Sequence, residues 1–251
     1  MMLRVMRVFI PLFILLLIIG CSTTHKQAPL VRDPEVLLRE ANEKLQNKDY
    51  DSARDKLEMA RAVDVSKKYA PIIQLRLADT YFQEERYDEA IQEYNKFLDL
   101  HPYHKYAPYA RYQIAMSYFD QVEDAERNYA EAGKALAEFE KIKRLYPRNP
   151  YREMIDHKIQ TCRDILAAHE FYVGEFYFKN DSYKAAAERF SWLIKEYPNS
   201  PKVPDAMYQL ALAYKKLGDM EKAALTAKTL IQKYPDSKFS REAEKAFTPK
   251  K

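Results

Sequence analysis

Few residues of this 251-residue chain have types and spacings that could do chemistry. Cys21, directly behind Gly20 and a long apolar run, offers a thiol that can be acylated. Cys162 sits in a helical stripe of apolar residues, where a cysteine is far more often a small buried hydrophobe than a reactive thiol. His101 and His104 form an H-x-x-H pair, but a zinc site needs a third or fourth ligand and no neighbouring Cys, Asp or Glu cluster supplies one. Asp120, Glu123, Asp124 and Glu126, with Arg127 directly behind them, read as a solvated insertion, not a calcium loop. There is no G-x-S-x-G, no phosphate-cradling glycine loop and no Cys–His nucleophile setting. The expectation is a non-enzymatic protein with no metal and no cofactor.

The N-terminus explains Cys21. Arg4 and Arg7 precede the apolar run Val8–Ile19, broken only by Pro11. Twelve helical residues reach roughly 18 Å, well short of a hydrocarbon core of about 30 Å, so residues 1–20 read as a secretory signal and not a membrane span. Ile18-Ile19-Gly20-Cys21 resembles the bacterial lipobox, although Ile19 departs from the small residue usual there. An ordinary signal peptide with a chance cysteine is the alternative. Ser22, in place of an acidic residue, resembles the outer-membrane sorting pattern. Acyl chains anchor at about 0.8 kcal/mol per buried methylene. Residues 21–33 read as the lipidated end and a tether.

Removing Arg4 and Arg7 with the first twenty residues leaves 39 of the 41 basic side chains against 37 acidic ones. That near-balance argues against nucleic acid as a partner. With Cys21 acylated, Cys162 has no disulfide partner, so the fold must be stabilised by burial. Four glycines are too few for the tight turns of a sheet-rich fold.

The helices repeat. His101-Pro102, Tyr146-Pro147, Tyr197-Pro198 and Tyr234-Pro235 end four amphipathic stretches, and the last three continue with Asn, Asp or Ser, residues able to cap the next helix. Counting back from each proline recovers the tetratricopeptide pattern. The second repeat gives Leu77, Ala78, Tyr81, Tyr87, Ala90, Tyr94, Phe97 and Pro102. The fourth gives Val173, Gly174, Tyr177, Tyr183, Ala186, Phe190, Leu193 and Pro198, and the fifth Leu210, Ala211, Tyr214, Ala223, Leu230 and Pro235. The first is weaker (Leu37, Ala41, Tyr50, Ala53, Leu57, Ala60), and the third matches only with an insertion at about 120–133. Small residues permit close helix approach and large ones fill the gaps. A lone hairpin cannot bury its apolar face, so stacking is obligatory. The fold expected is an all-α solenoid of five tetratricopeptide hairpins in a right-handed superhelix. Repeats 1–3 occupy 34–147; a long linking helix from Pro150 to about Lys179, repeats 4–5 and a helical cap occupy 148–251.

The lipobox, the five repeats, the extended third repeat and the Tyr-Pro-Asn-Ser ending together resemble the BamD family, as does the segment Ala168-His169-Glu170-Phe171-Tyr172-Val173-Gly174. The resemblance covers Cys21 to about Phe247. It implies an outer-membrane lipoprotein, facing the periplasm, of the machine that folds and inserts β-barrel proteins. Implied partners are the periplasmic domains of the barrel-forming BamA, other lipoproteins of that complex, unfolded barrel substrates, and the outer membrane through the lipid. Arg189, in Ala-Glu-Arg-Phe, resembles an arginine that family uses at the partner interface; plain solubility is the alternative. Trp192, the single tryptophan, is either an interface anchor beside it or core.

Repeat spacing lines the inner surface with Leu38, Leu45, Ile72, Leu75, Phe82, Tyr109, Tyr112, Met116 and Phe119. Such a groove suits an extended segment with aromatic side chains; packing against an insertion or terminal segment is the alternative. Two other roles compete: a CpoB-like partner of the Tol–Pal system, and a lipoprotein adaptor of peptidoglycan enzymes.

Overall fold

Four short turns share one conformation in the computed structural model, which describes residues 33–122 and 129–247. Lys48, Glu85, Asp181 and Gly218 each adopt a left-handed φ, from 57° to 81°. In each turn the next amide donates to the carbonyl five residues back: Asp49 to Lys44, Arg86 to Tyr81 and Ser182 to Tyr177 at 2.9 Å, and Asp219 to Tyr214 at 3.0 Å. This closure satisfies carbonyls that the end of a helix leaves orphaned and sends the chain back antiparallel.

These turns join α1 (Pro34–Gln46) to α2 (Tyr50–Val63), α3 (Ala70–Gln83) to α4 (Tyr87–Leu100), α7 (Arg152–Lys179) to α8 (Tyr183–Glu196), and α9 (Val203–Lys216) to α10 (Met220–Lys233). The remaining hairpin pairs α5 (Ala107–Asp120) with α6 (Tyr129–Leu145), and α11 (Lys238–Phe247) covers α10 and α9. Among the described residues there is no strand. Each helix packs on its neighbours in sequence, as in a solenoid of hairpins, and the described residues form one compact unit. The expected signal segment, Cys21, nearly all of the expected tether and residues 123–128 of the insertion lie outside the described residues.

The repeat positions do what their sizes require. Ala78 and Ala90 are buried where α3 meets α4, and Tyr94 and Phe97 fill the gap to α5 with no exposure. Each such large apolar side chain contributes about 1.5–3 kcal/mol on burial. The proline dipeptides stop α6, α8 and α10 as the spacing predicts. The capping expectation for the polar residues behind them needs correction. The N-caps of α7 and α9 are Tyr151 and Lys202, and neither makes a side-chain cap bond. At these two helices Asn149 and Ser200 instead accept, through their side-chain oxygens, from the amides of Tyr151 (2.8 Å) and Lys202 (3.3 Å), whereas Ser237, directly before α11, caps that helix as expected by accepting from the Phe239 amide (3.2 Å). Asn149 and Ser200 fold the turn ahead of the helix.

The 28-residue α7 serves two hairpins. Its first half packs on α6 through Ile155, Ile159 and Cys162; its second half packs on α8 through Ala167 and Phe171, with Gly174 against Phe190. Cys162 is fully buried, and burial pushes its thiol up to about 12, as expected of a core hydrophobe.

Candidate partner-binding surfaces

The first surface is a cleft of about 310 Å³ lined by Ile72, Leu75, Arg76, Tyr106, Tyr109 and Tyr151. Three elements bring these together: the start of α3, the α4–α5 connection with the start of α5, and the residue just before α7. Beneath it lies Asp79, a buried carboxylate on α3. It accepts from the Tyr94 hydroxyl (2.7 Å), the Tyr109 hydroxyl (2.9 Å) and Arg76 Nη1 (2.8 Å). Burial first, and the Asp79 charge second, hold both phenols well above their ordinary range, so they remain proton donors. Arg76 is thereby oriented at the rim with its guanidinium half-exposed.

Of the nine groove residues expected from spacing, Ile72, Leu75 and Tyr109 line this cleft. Tyr112 adjoins it by stacking on Tyr151, with ring centroids 5.0 Å apart. Met116 and Phe119 are part-buried against the third-hairpin core, and Lys158 Nζ lies 3.8 Å from the Phe119 ring centre. Phe82 turns its edge to Tyr87 at 5.7 Å. Leu38 and Leu45, expected on the same surface, are buried. Arg76, Tyr106 and Tyr151 were not anticipated. A signal for two of them existed: the first helices of three successive hairpins begin behind a tyrosine, at Tyr69, Tyr106 and Tyr151.

His101 and His104 lie in the adjoining connection, ring centroids 6.4 Å apart and each 5.6 Å from Phe97. His104 Nδ1 accepts from the Tyr106 amide at 3.3 Å, and burial, with His101 and Lys105, holds its pKa below the ordinary value. No group of three or more potential metal ligands occurs among the described residues.

The second surface is the outward face of α8. Arg189 and Trp192, one turn apart, are 46% and 49% exposed. Trp192 is therefore not core, while Phe190 between them is fully buried. Arg189 Nη1 contacts Glu170 Oε2 at 3.1 Å, an ion pair of α8 with α7 that is too exposed to add much stability. Trp192, Lys184, Glu188, Tyr214, Leu217 and Lys222 line a concavity of about 590 Å³ between α8 and the last hairpin.

Near the start of α9, burial pushes the carboxyl of Asp205 up to about 6; Lys202 Nζ, 3.9 Å away, offsets this only in part, and Glu175 adds to it. A carboxyl raised when folded binds its proton more tightly there than in the unfolded chain. It therefore costs stability at pH above 6, and the cost disappears as pH falls through 6 toward 4. Asp205→Asn should stabilise the protein by about 1 kcal/mol at pH 8, after the loss of a favourable helix-start charge, and change little at pH 4. Denaturant melts at the two pH values check this.

Among the described residues, no helix is long and apolar enough to cross a membrane. A family profile described as outer membrane lipoprotein, YfiO, matches residues 32–228. The outer membrane protein assembly factor BamD of Caulobacter vibrioides is 29% identical over 120 residues, covering 48% of this chain and 39% of that protein. BamD of Haemophilus influenzae is 27% identical over 97 residues (39% and 37%), and that of Neisseria meningitidis serogroup A 31% over 105 (42% and 39%). The matched stretch thus spans less than half the length of these relatives. Among solved structures, the TPR2AB domain of yeast Sti1 is 15% identical over 85% of this chain and 83% of that one, with a TM-score of 0.46. With four-fifths of the chain under one profile and BamD proteins of several bacteria aligned to it, the chain belongs to the YfiO family of outer-membrane lipoproteins, the BamD family.

Proposed function

We propose that this protein is a non-enzymatic scaffold of the machinery that assembles outer-membrane β-barrel proteins. Lipid on Cys21 holds it to the outer membrane, and the helical body faces the periplasm. The cleft around Leu75 and Tyr109 receives extended, aromatic-bearing segments of unfolded barrels, with Tyr112, Phe82, Met116 and Phe119 on the adjoining surface. The α8 face docks the periplasmic domains of a BamA-like barrel protein, and other lipoproteins of the complex join the assembly. The observation that carries this reading is Trp192: a large aromatic left half-exposed one turn from Arg189, two positions from the fully buried Phe190. Tryptophan and arginine dominate binding hot spots.

Co-purification from detergent-solubilised membranes tests it. A barrel protein with periplasmic domains should accompany the chain; recovery of Tol–Pal components or peptidoglycan enzymes instead would reject the reading. Arg189→Ala should weaken that association about tenfold, the loss of roughly 1.4 kcal/mol. Because the Arg189–Glu170 pair contributes little to folding, circular dichroism and the melting midpoint should stay close to wild type. Unchanged association would remove Arg189 from the interface.

A further inference from the structure

We propose that one edge of the first three hairpins is a membrane-contact surface that lies against an anionic lipid bilayer. The antiparallel order of helices places the start of α1 and the α2–α3, α4–α5 and α6–α7 connections at the same edge. Contacts agree: the Tyr69 hydroxyl donates to Glu35 at 3.0 Å, and Ile72, Tyr106 and Tyr151 share one cleft.

Apolar tips project there into solvent. Tyr103 is 100% exposed, Val65 87% and Leu100 67%, and Leu145 and Met154 are half-exposed. Bases surround them: Lys67, Lys105, Arg144, Arg148 and Arg152 are exposed and make no ion pair among the described residues. The three connections themselves hold one carboxylate, Asp64, which is buried and accepts from the Ser66 hydroxyl and the Tyr69 amide; the helix ends beside them add the exposed Asp33, Glu35, Asp99, Glu153 and Asp156, the last paired with Lys143. The turns 47–49 and 84–86 at the opposite edge carry Asp49, Glu84 and Glu85 against Lys48 and Arg86 and no exposed large hydrophobe, and Tyr129 at the start of α6 adds one aromatic side chain there, 42% exposed. Aromatic and aliphatic tips ringed by unpaired lysine and arginine suit a headgroup layer, where the rings sit at the interface and the bases meet lipid phosphates.

The position of the anchor supplies the occupant. Residues 22–33 separate Cys21 from α1, a span of about 40 Å at most, and α1 begins at this edge. The inference rests on the anchored reading of Cys21; if that holds, the edge is tied near the bilayer whatever else binds. The contact would also set the cleft, which opens between these connections, close to the membrane surface.

Lipidated full-length protein in vesicles tests it, with a polarity-sensitive fluorophore on Tyr103→Cys and, as control, on Lys48→Cys; the buried Cys162 does not compete for label. In phosphatidylethanolamine–phosphatidylglycerol vesicles with brominated chains, the label at 103 should be quenched and that at 48 should not. Each of Lys67→Glu, Lys105→Glu and Arg148→Glu should reduce the bound-edge population about fivefold, and phosphatidylcholine vesicles should give little quenching. Anchored protein with an unquenched label at 103, equal quenching at both edges, or indifference to lipid charge would overturn the proposal. So would shielding of Tyr103 that arises only on adding a protein partner. Mass spectrometry of Cys21 checks the anchor separately; should it lack acyl chains, the same quenching at saturating lipid still decides the edge.

Discussion

Gly174→Leu should destabilise the C-terminal half of the solenoid by about 3 kcal/mol, at the upper end of overpacking costs. A carbon added at Gly174 would stand 2.5–2.9 Å from three ring atoms of Phe190, well inside contact distance. That ring cannot retreat: it is fully buried, with Phe171 5.6 Å away and Leu193 and Leu210 in the same cluster. α7 and α8 would have to separate, and they form the seam between the third hairpin and the last two. Gly174→Ala is a finer probe, because alanine favours the helix by about 1 kcal/mol and so masks part of its clash. Combining Gly174→Leu with Phe190→Ala should cost less than the sum of the single changes by about 1–2 kcal/mol, as the new side chain occupies the vacated ring space. Denaturant unfolding monitored at Trp192, which lies on α8, reads all three. Strict additivity would show that the two helices do not depend on this contact.

Gly174 was legible because the repeat pattern demands a small residue there, and the neighbouring Tyr177 and Phe190 fell at the spacing of the other copies. Element order, the proline stops and the burial of Cys162 followed from the same periodicity. Side-chain direction at the rims did not. Spacing places Met116 and Phe119 on the inner surface and foresees one long helix from Pro150, but it does not register that the first turns of that helix pack in one cluster with these side chains of α5. Cleft members contributed by connections escape any helical period, which is why Tyr106 and Tyr151 were missed while Leu75 and Tyr109 were found. Charge at the edges escaped for a related reason. Lys67, Lys105 and Arg148 are far apart in sequence, and only the up-and-down helix order collects them on one side.

The buried carboxylate beneath the cleft was also invisible to pattern, since Asp79 occupies a position that a solvent-facing helix residue would fill. Asp79→Ala should cost about 3–4 kcal/mol, the cost of stranding two buried hydroxyl donors and releasing one guanidinium. Tyr94 is fully buried and has no other charged acceptor; Tyr109 bridges from α5 and loses the bond that ties α5 to α3. Asp79→Asn preserves volume but turns amide protons toward phenols that are themselves donors, so it should recover less than half of the loss. Asp79→Ala made in a Tyr94→Phe background should cost at least 1 kcal/mol less than in the wild type, because one of the stranded donors is already gone. Urea melts of the wild type and the four variants, Tyr94→Phe alone included, separate these terms. If Asp79→Ala melts within about 1 kcal/mol of wild type, the network is not what holds α3, α4 and α5 together at the cleft, and Arg76 and Tyr109 owe their positions to packing alone.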